Sequence, residues 1–177
     1  MLAVGSAFAD VSSVARSWPN EGGGYSTTSS AALQRPELTR PLDWVPLEAF
    51  MKTVISTSEA PAAVGPYSQA IGSGPLLFCS GQIPLDARSG ELLQADVSAQ
   101  TKLVLDNLGS VLKAYGLGFQ DVVKTTVFLT DLGQFAEMNA IYAKYFAEQP
   151  PARSTIQVAA LPKGAKVEIE AIAIKPS

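Results

Sequence analysis

One arginine and two glutamates are the residues of this 177-residue chain whose type and spacing best suit chemistry. Arg153 follows Pro150 and Pro151 and opens a predicted strand, so its guanidinium is presented from a fixed backbone position. A planar guanidinium with parallel N–H donors is suited to hold a carboxylate by two hydrogen bonds. The alternative, from this residue alone, is an ordinary salt bridge at a surface or an interface.

Glu168 and Glu170 flank Ile169 in the last predicted strand, where alternate residues share a face. Two carboxylates at this spacing repel each other, so burial of their face would raise the pKa of at least one of them. A carboxylate with a raised pKa could exchange protons or orient a water molecule near neutral pH. The alternative is that both glutamates pair with lysines at an interface, for which the candidates are Lys163, Lys166 and Lys175.

Four further residues could contact a ligand, although each also has a structural interpretation. Tyr67 lies in a predicted turn and could stack on a planar ligand, form a hydrogen bond to it, or simply pack half-buried. Ser80 and Gly81 follow an apolar strand, where a glycine lets backbone N–H groups approach a ligand but could also serve a turn. Asn139 interrupts an apolar helical stripe, where an amide usually bonds a backbone group and less often a ligand. Cys79 is predicted to be a small buried hydrophobe rather than a redox or nucleophilic group.

The composition excludes several kinds of site. The chain has no histidine, which removes a Ser-His-Asp triad, a Cys-His dyad and any His-ligated metal. A single cysteine can form neither an internal disulfide nor a Cys-rich zinc site. Thirteen basic and sixteen acidic residues give a net charge of -3 without a basic cluster, which argues against a nucleic-acid groove. The chain contains no run of about 18 apolar residues, so its sequence predicts no membrane-spanning helix.

The elements that must position these residues lie after residue 50. Residues 1–50 are rich in Gly, Pro and Ser and lack an apolar period, which predicts a largely disordered extension. This extension has no basic stretch before a hydrophobic core, so it gives little support to organelle targeting, and a cytoplasmic location is expected. Residues 51–177 are long enough to form one domain with its own core.

The apolar spacing in residues 51–177 predicts an α+β domain. Asp96 is a candidate N-cap for a helix of about five turns that stops at Gly116. A second helical stripe runs from Phe135 to Phe146 and ends before Pro150. The predicted strands are 53–56, 69–71, 76–80, 122–130, 154–159 and 167–174, and the apolar strand at 76–80 is expected to end in a turn at Gly81. This order predicts one mixed sheet with both helices on one face.

The second face of such a sheet needs another covering. In the last strand the alternation separates two sets of residues, Val167, Ile169, Ala171 and Ala173 from Glu168, Glu170, Ile172 and Ile174. In the strand at 122–130 the residues expected to share one face are Val123, Thr125, Val127 and Leu129. Neither side of the last strand is plainly solvated. A homo-oligomer that buries the second face would explain this pattern, and a cyclic assembly would place sites between subunits.

Five stretches of the domain closely resemble the RidA family, also called the YjgF/YER057c/UK114 family. They are APAAVGPYSQA at 60–70, SGQIP at 80–84, VKTTVFL at 123–129, PARS at 151–154 and VEIEAIA at 167–173. The resemblance implies a chorismate-mutase-like fold and a homotrimer with three ligand sites in the clefts between subunits. It also implies hydrolysis of 2-iminobutanoate or 2-iminopropanoate, and of enamine tautomers such as 2-aminoacrylate, to the 2-oxo acid and ammonia.

The resemblance also implies roles for individual residues, with neither a metal nor an organic cofactor. Arg153 matches the family's carboxylate-binding arginine, and Glu168 matches the acid that positions the hydrolytic water. The positions that match ligand contacts are Tyr67, Ser80, Gly81 and Asn139. Thr155 stands where many members have cysteine, so a thiol is not needed and the substrate preference at that wall is left open.

Two other functions are alternatives to the deaminase. The first is a non-enzymatic ligand-binding or chaperone-like trimer, since the superfamily includes members that lack the arginine and the activity; Arg153 argues against it. The second is an RNA-cleaving translation inhibitor, a role also attached to this family. The net charge of -3 and the absence of histidine and of a basic stripe argue against RNA as the substrate.

Overall fold

Six strands form one mixed sheet, and two helices are associated with it. A computed structural model describes residues 51–176, so the predicted extension at residues 1–50 lies outside the described residues. The strands are β1 (Thr53–Ile55), β2 (Ala70–Ser73), β3 (Leu76–Gln82), β4 (Val122–Leu129), β5 (Ala152–Gln157) and β6 (Val167–Ile174). The helices are α1 (Val97–Ala114) and α2 (Phe135–Tyr145). The strand order is β1-β2-β3-β6-β4-β5, in which only the β4–β5 pair is parallel.

Local signals fix both ends of α1, as the sequence predicts. The Asp96 carboxylate accepts a hydrogen bond from the Ala99 N–H at 2.8 Å, which satisfies one free donor of the first turn. At the other end, the Leu117 N–H donates to the Leu112 carbonyl, and Gly116 adopts a φ of +79° between them. A glycine is favoured there because a Cβ disfavours the left-handed conformation. The apolar stripe of α1 then packs on β3 and β6.

The buried face of the sheet follows the predicted alternation in β6 but not throughout β4. Val167, Ile169, Ala171 and Ala173 are buried, as expected. In β4, however, Val122 pairs with Ala173 while Lys124 pairs with Ile172, so one residue is inserted as a β-bulge. The prediction that Val123 shares a face with Thr125, Val127 and Leu129 is therefore wrong: Val123 is 44% exposed and Val122 is buried in its place. From Thr125 onward the alternation is as predicted.

The face opposite the helices carries exposed apolar side chains. In β3 only Leu77 and Cys79 are buried among the apolar residues, whereas Phe78 is 43% exposed, so the strand is not buried on both faces. Cross-strand pairing places Phe78 beside Ile172, and Ile156 on β5 is exposed on the same face. Within residues 51–176 both helices pack on the other face of the sheet. No helix of residues 51–176 is long and apolar enough to cross a membrane.

Candidate functional site

A cleft of about 470 Å³ lies beside the junction of β3 and β6. Three parts of the chain form its walls: residues 61–69 before β2, residues 80–85 at the end of β3, and Pro162 and Lys163 together with Glu168 on β6. Most of the accessible lining is apolar. Four of the predicted site residues line this cleft, namely Tyr67, Ser80, Gly81 and Glu168. The structure therefore brings these four together.

A bulge in β3 places Gly81 against Glu168. Cys79 pairs with Ala171 and Gln82 pairs with Ile169, so three steps on β3 match two on β6. A Cβ on Gly81 would lie 2.8 Å from Cδ of Glu168, closer than carbon atoms can approach without displacement. The prediction of a turn at Gly81 is wrong, because β3 continues to Gln82. The glycine instead leaves room for the Glu168 carboxylate beside the backbone, and a side chain there would displace this carboxylate from its position.

Glu168 is the acidic group of this cleft. Its side chain lies on the open face of β6, half-buried beside the bulge. Burial raises the pKa of Glu168, and the negative charge of Glu170 on the same face raises it further. The predicted repulsion between the two glutamates is thus present, but loss of hydration is the larger cause.

The predicted lysine partners of the glutamates are engaged elsewhere. Lys163 Nζ donates to the Gly90 carbonyl at 2.8 Å, and Lys166 Nζ donates to the Ala95 carbonyl at 2.9 Å. Lys175 lies 5.7 Å from the centre of the Tyr115 ring. Within residues 51–176 the ion pair between Lys102 and Asp106 is the only one, so the alternative of a Glu–Lys pair at Glu168 or Glu170 is not realised in this chain.

Ser80 and Tyr67 complete the polar part of the cleft. The Ser80 hydroxyl donates to the Ser68 carbonyl at 2.7 Å, so its oxygen can act toward the cleft only as an acceptor. Tyr67 is 52% exposed, and its hydroxyl oxygen accepts a hydrogen bond from the Val64 N–H at 3.3 Å. The Tyr67 ring is thus half-buried on the wall of the cleft, which agrees with both interpretations of this residue.

Arg153 and Asn139 form a second cluster, between β5 and α2. Arg153 Nη1 donates to Oδ1 of Asn139 at 2.8 Å. The guanidinium carbon lies 4.6 Å from the centre of the Tyr142 ring and 5.5 Å from that of Phe135, distances at which a cation is attracted to an aromatic face. Arg153 has no carboxylate partner within residues 51–176, so the salt-bridge alternative is not realised in this chain. The Asn139 amide oxygen thus accepts a hydrogen bond from a side chain and not from the backbone group that such an amide usually bonds.

Tyr142 is held in place beneath Arg153. Its hydroxyl group shares a hydrogen bond of 2.8 Å with Thr125 Oγ1, and its ring stacks on Phe146 with 4.4 Å between centres. Burial raises the pKa of Tyr142, although the Thr125 hydrogen bond and the Arg153 charge act in the opposite direction. Sequence reasoning missed Phe135 and Tyr142 as partners of the arginine, because their spacing predicts only an apolar helical stripe.

The two clusters lie on opposite faces of the sheet. Arg153 pairs with Thr125, a core-facing residue, and contacts α2, whereas Glu168 alternates with the buried residues of β6 and faces away from the core. Strand pairing separates their α-carbons by two strand spacings and three residues, about 14 Å for ordinary sheet geometry. One chain therefore carries a carboxylate cleft and a separate arginine cluster that cannot contact the same small molecule.

Other candidate groups are inert in the described residues. Cys79 is a buried free cysteine, and burial raises the pKa of its thiol to about 12, which confirms the prediction of a small buried hydrophobe. In residues 51–176 no three acidic or cysteine side chains come together as a metal site would require. Thr155 lies two residues after Arg153 on β5, so both side chains face the helix side.

The chain folds as an α+β domain with one mixed sheet and helices on one face of it. In this domain a bulged strand brings a glycine close to a carboxylate. A family profile described as "Endoribonuclease L-PSP" matches residues 57–175. The chain belongs to this family, which is the RidA family, and this confirms the predicted family and fold.

Named relatives and a solved structure show the same similarity. "Protein DfrA" of Myxococcus xanthus is 54% identical over 130 residues, which cover 72% of this chain and 99% of that protein. The protein "2-iminobutanoate/2-iminopropanoate deaminase" of Mus musculus is 50% identical over 129 residues, which cover 73% of this chain and 96% of that protein. The crystal structure of the YjgF gene product from E. coli is 47% identical, with a TM-score of 0.67, and the match covers 70% of this chain and 99% of that chain.

Proposed function

We propose that this protein hydrolyses reactive 2-imino acids to 2-oxo acids and ammonia. The substrates are 2-iminobutanoate and 2-iminopropanoate, together with enamine tautomers such as 2-aminoacrylate. The name of the mouse relative, at 50% identity, supports this reaction class. The observation that carries the proposal is the half-buried Glu168 carboxylate, which has a raised pKa and lies in an otherwise largely apolar cleft.

The substrate's size requires that two copies of the chain form each site. The carboxylate of a 2-imino acid is bonded directly to its imine carbon. The group that binds the carboxylate must therefore lie close to the group that activates water for attack on the imine carbon. Arg153 and Glu168 of one chain lie on opposite faces of the sheet. The proposed assembly is a homotrimer in which the exposed apolar face is buried and Arg153 of one copy adjoins the cleft of the next.

The arginine cluster suits a carboxylate ligand. Asn139 engages Nη1 of Arg153, and the rings of Phe135 and Tyr142 restrict the guanidinium without neutralising it. Its remaining N–H donors are left to hold the substrate carboxylate through charge-assisted hydrogen bonds. This contact fixes the neighbouring imine carbon relative to Glu168, so that attack by water becomes effectively intramolecular.

Glu168 supplies the base for hydrolysis. Water attacks the electrophilic imine carbon and gives a proton to the Glu168 carboxylate. The C–O bond forms as the C=N π electrons move to nitrogen, which takes up the proton held by Glu168. From the resulting amino alcohol Glu168 removes the hydroxyl proton and passes it to nitrogen, so that the C=O bond forms as the C–N bond breaks and ammonia leaves the 2-oxo acid. Because an imine carbon is already electrophilic, the reaction needs no stronger nucleophile and the absence of histidine is no obstacle.

The remaining cleft residues have positioning roles in this proposal. Gly81 allows the Glu168 carboxylate to approach the backbone, since a side chain at that position would displace it. The Ser80 oxygen is oriented as an acceptor and is suited to the N–H of the imine. Tyr67 forms an exposed wall of the cleft, where its ring can cover the planar substrate.

A coupled assay tests the proposal directly. An amino-acid oxidase or a dehydratase generates the imine, and its decay is followed with and without the protein. The wild-type chain is expected to accelerate decay, whereas Arg153→Ala should lower kcat/KM by at least about a hundredfold and abolish binding of the 2-oxo acid. Arg153→Lys should restore little, because an ammonium cannot replace a planar fork. Arg88→Ala is the matched control, since Arg88 is an exposed arginine in a turn that does not line the cleft.

Two outcomes of this assay would favour another function. Near-normal hydrolysis by an intact Arg153→Ala assembly would contradict the deaminase. No acceleration by the wild-type chain, with 2-oxo acid binding retained, would indicate a non-enzymatic binding protein. RNA cleavage is the second candidate because the family description names an endoribonuclease. Cleavage that copurifies with the protein and survives Arg153→Ala would favour it.

A further inference from the structure

Gln69 joins two walls of the cleft through its side chain and its backbone. The side chain is 3% exposed and lines the cleft. Its Oε1 accepts the Thr57 N–H at 2.7 Å, and its Nε2 lies within hydrogen-bond distance of the carbonyls of Thr57 (3.0 Å), Ala60 (3.3 Å) and Pro61 (2.7 Å). Its main-chain carbonyl accepts the Ser80 N–H at 3.0 Å. One buried amide thus ties residues 57–61 to the strand that carries Ser80.

The segment between these anchors forms the exposed wall of the cleft. It leaves the body of the domain at Pro61 and returns at Gln69, and it carries Val64, which is 75% exposed, and Tyr67. The hydrogen bonds of residues 62–67 are internal to the segment: Tyr67 N–H donates to the Gly65 carbonyl, and Val64 N–H donates to the Tyr67 hydroxyl. Within the described residues the segment is therefore hydrogen-bonded to the rest of the domain only at its two ends, and Gln69 forms hydrogen bonds at each of these ends.

We infer that Gln69 is a positioning residue of the site, which fixes the wall formed by residues 61–67 at its working distance from Ser80 and Glu168. This inference rests on the proposed function, because the substrate is the molecule that the wall would contact. Only an amide fits the position: Oε1 must accept one N–H while Nε2 donates to carbonyls. A carboxylate would face those carbonyls without a proton to donate, and an apolar side chain would leave buried backbone groups unpaired.

The test compares two buried glutamines. Gln69→Met keeps approximately the length of the side chain but removes its hydrogen bonds. Gln100→Met makes the same change at a glutamine that accepts the Lys166 N–H and donates to the Leu93 carbonyl, residues that do not line the cleft. Because misplacement of about 1 Å can cost about a hundredfold in rate, kcat/KM should fall by about ten- to a hundredfold in Gln69→Met. It should stay within about twofold of wild type in Gln100→Met.

A second measurement does not depend on any activity. Amide hydrogen exchange in residues 61–67 should become at least about tenfold faster in Gln69→Met but not in Gln100→Met. If the wild-type chain hydrolysed no imine, the proposed function would fail, while a selective exchange effect would still support the anchoring role. Unchanged exchange and unchanged kcat/KM in folded Gln69→Met would overturn the inference, as would an equal loss of activity in Gln100→Met.

A milder substitution keeps the inference testable if Gln69→Met does not fold. Gln69→Asn retains the amide but withdraws it by one methylene from its partners at Thr57 and Pro61. The expected result is an increase in KM that exceeds any fall in kcat, with faster exchange in residues 61–67. Wild-type values of KM and exchange in this variant would refute the positioning role.

Discussion

Mixing two inactive variants tests whether each site takes Glu168 and Arg153 from different copies of the chain. Arg153→Ala keeps the carboxylate cleft but loses the guanidinium, and Glu168→Gln keeps the guanidinium but loses the base. In one chain the two residues lie on opposite faces with α-carbons about 14 Å apart. A mixed trimer can therefore rebuild a complete site at a boundary where one variant meets the other.

The expected recovery follows from the geometry of a cyclic trimer. A rebuilt site needs Glu168 from an Arg153→Ala chain and Arg153 from the neighbouring Glu168→Gln chain, and a cyclic trimer that contains both variants has one such boundary among its three sites. The background is low, because two lost hydrogen bonds to a charged group cost about 3–6 kcal/mol, or at least about a hundredfold in activity. Trimers purified as mixed should therefore show about one third of wild-type activity per site.

The assay uses coexpressed chains with two different tags, purified through both tags in sequence to confirm mixed assembly. Imine decay is then measured per site and corrected for the defined composition of the purified trimers. An activity no greater than that of the separate variants, in proven mixed trimers, would show that both residues act from one chain. Mixing wild type with the double variant is the second arm: in equally populated mixed trimers purified in the same way, shared sites predict about one sixth of full activity, and single-chain sites predict about one half.

Further predictions concern Glu168, its neighbours and the assembly. Glu168→Gln should lower kcat but leave the affinity for 2-oxobutanoate within about threefold of wild type by calorimetry, because the residue acts mainly as the barrier is crossed; a parallel loss of affinity would contradict this role. Glu168 works as an ionised base, so activity should fall as the pH drops through the pKa of Glu168. Because the charge of Glu170 helps to raise that pKa, Glu170→Gln should move the acidic limb of the pH profile of kcat to lower pH. A shift of this limb to higher pH would be inconsistent with the assignment. A chain of residues 51–177 should retain imine hydrolysis and sediment at about three times its monomer mass at low micromolar concentration, whereas a clean monomer would remove the shared site.

Local rules predicted the elements that carry the site. The ends of α1 at Asp96 and Gly116 depend on residues adjacent in sequence, since one side chain caps the first turn and one glycine adopts a positive φ. The alternation of β6 likewise depends on the two-residue period of a strand. These rules placed Glu168 and Glu170 together on one face of β6, and the structure shows that this is the face opposite the core.

Cross-strand register was beyond such rules. Because of the β4 bulge, Val122 is buried in the core where the alternation predicts Val123. Both residues are valines, so the sequence around them does not indicate which one is inserted. The bulge at Ser80 and Gly81 depends on the step between β3 and β6. The sequence indicates Gly81 as a special position but not the reason for a glycine there. That reason is the Glu168 carboxylate from another strand, which lies beside the Gly81 α-carbon and is 87 positions away in sequence.

The partners of Arg153 were hidden for a similar reason. The rings of Phe135 and Tyr142 read as core positions of a helix, and Asn139 as an amide that bonds the backbone. Their contact with the guanidinium follows from how α2 lies against the edge strand β5. Sequence could therefore name the charged residue but not the neutral groups that hold it without cancelling its charge.

The separation of the two clusters makes the proposed hydrolysis depend on assembly. An isolated chain would keep a carboxylate with a raised pKa in its cleft, but no arginine of residues 51–176 lines that cleft to hold a 2-imino acid beside it. Burial of the apolar open face would stabilise the assembly, and the same event would complete the sites. Activity per chain should therefore fall on dilution in proportion to the dissociated fraction, because the interactions that bury Phe78 and its neighbours also bring Arg153 to Glu168.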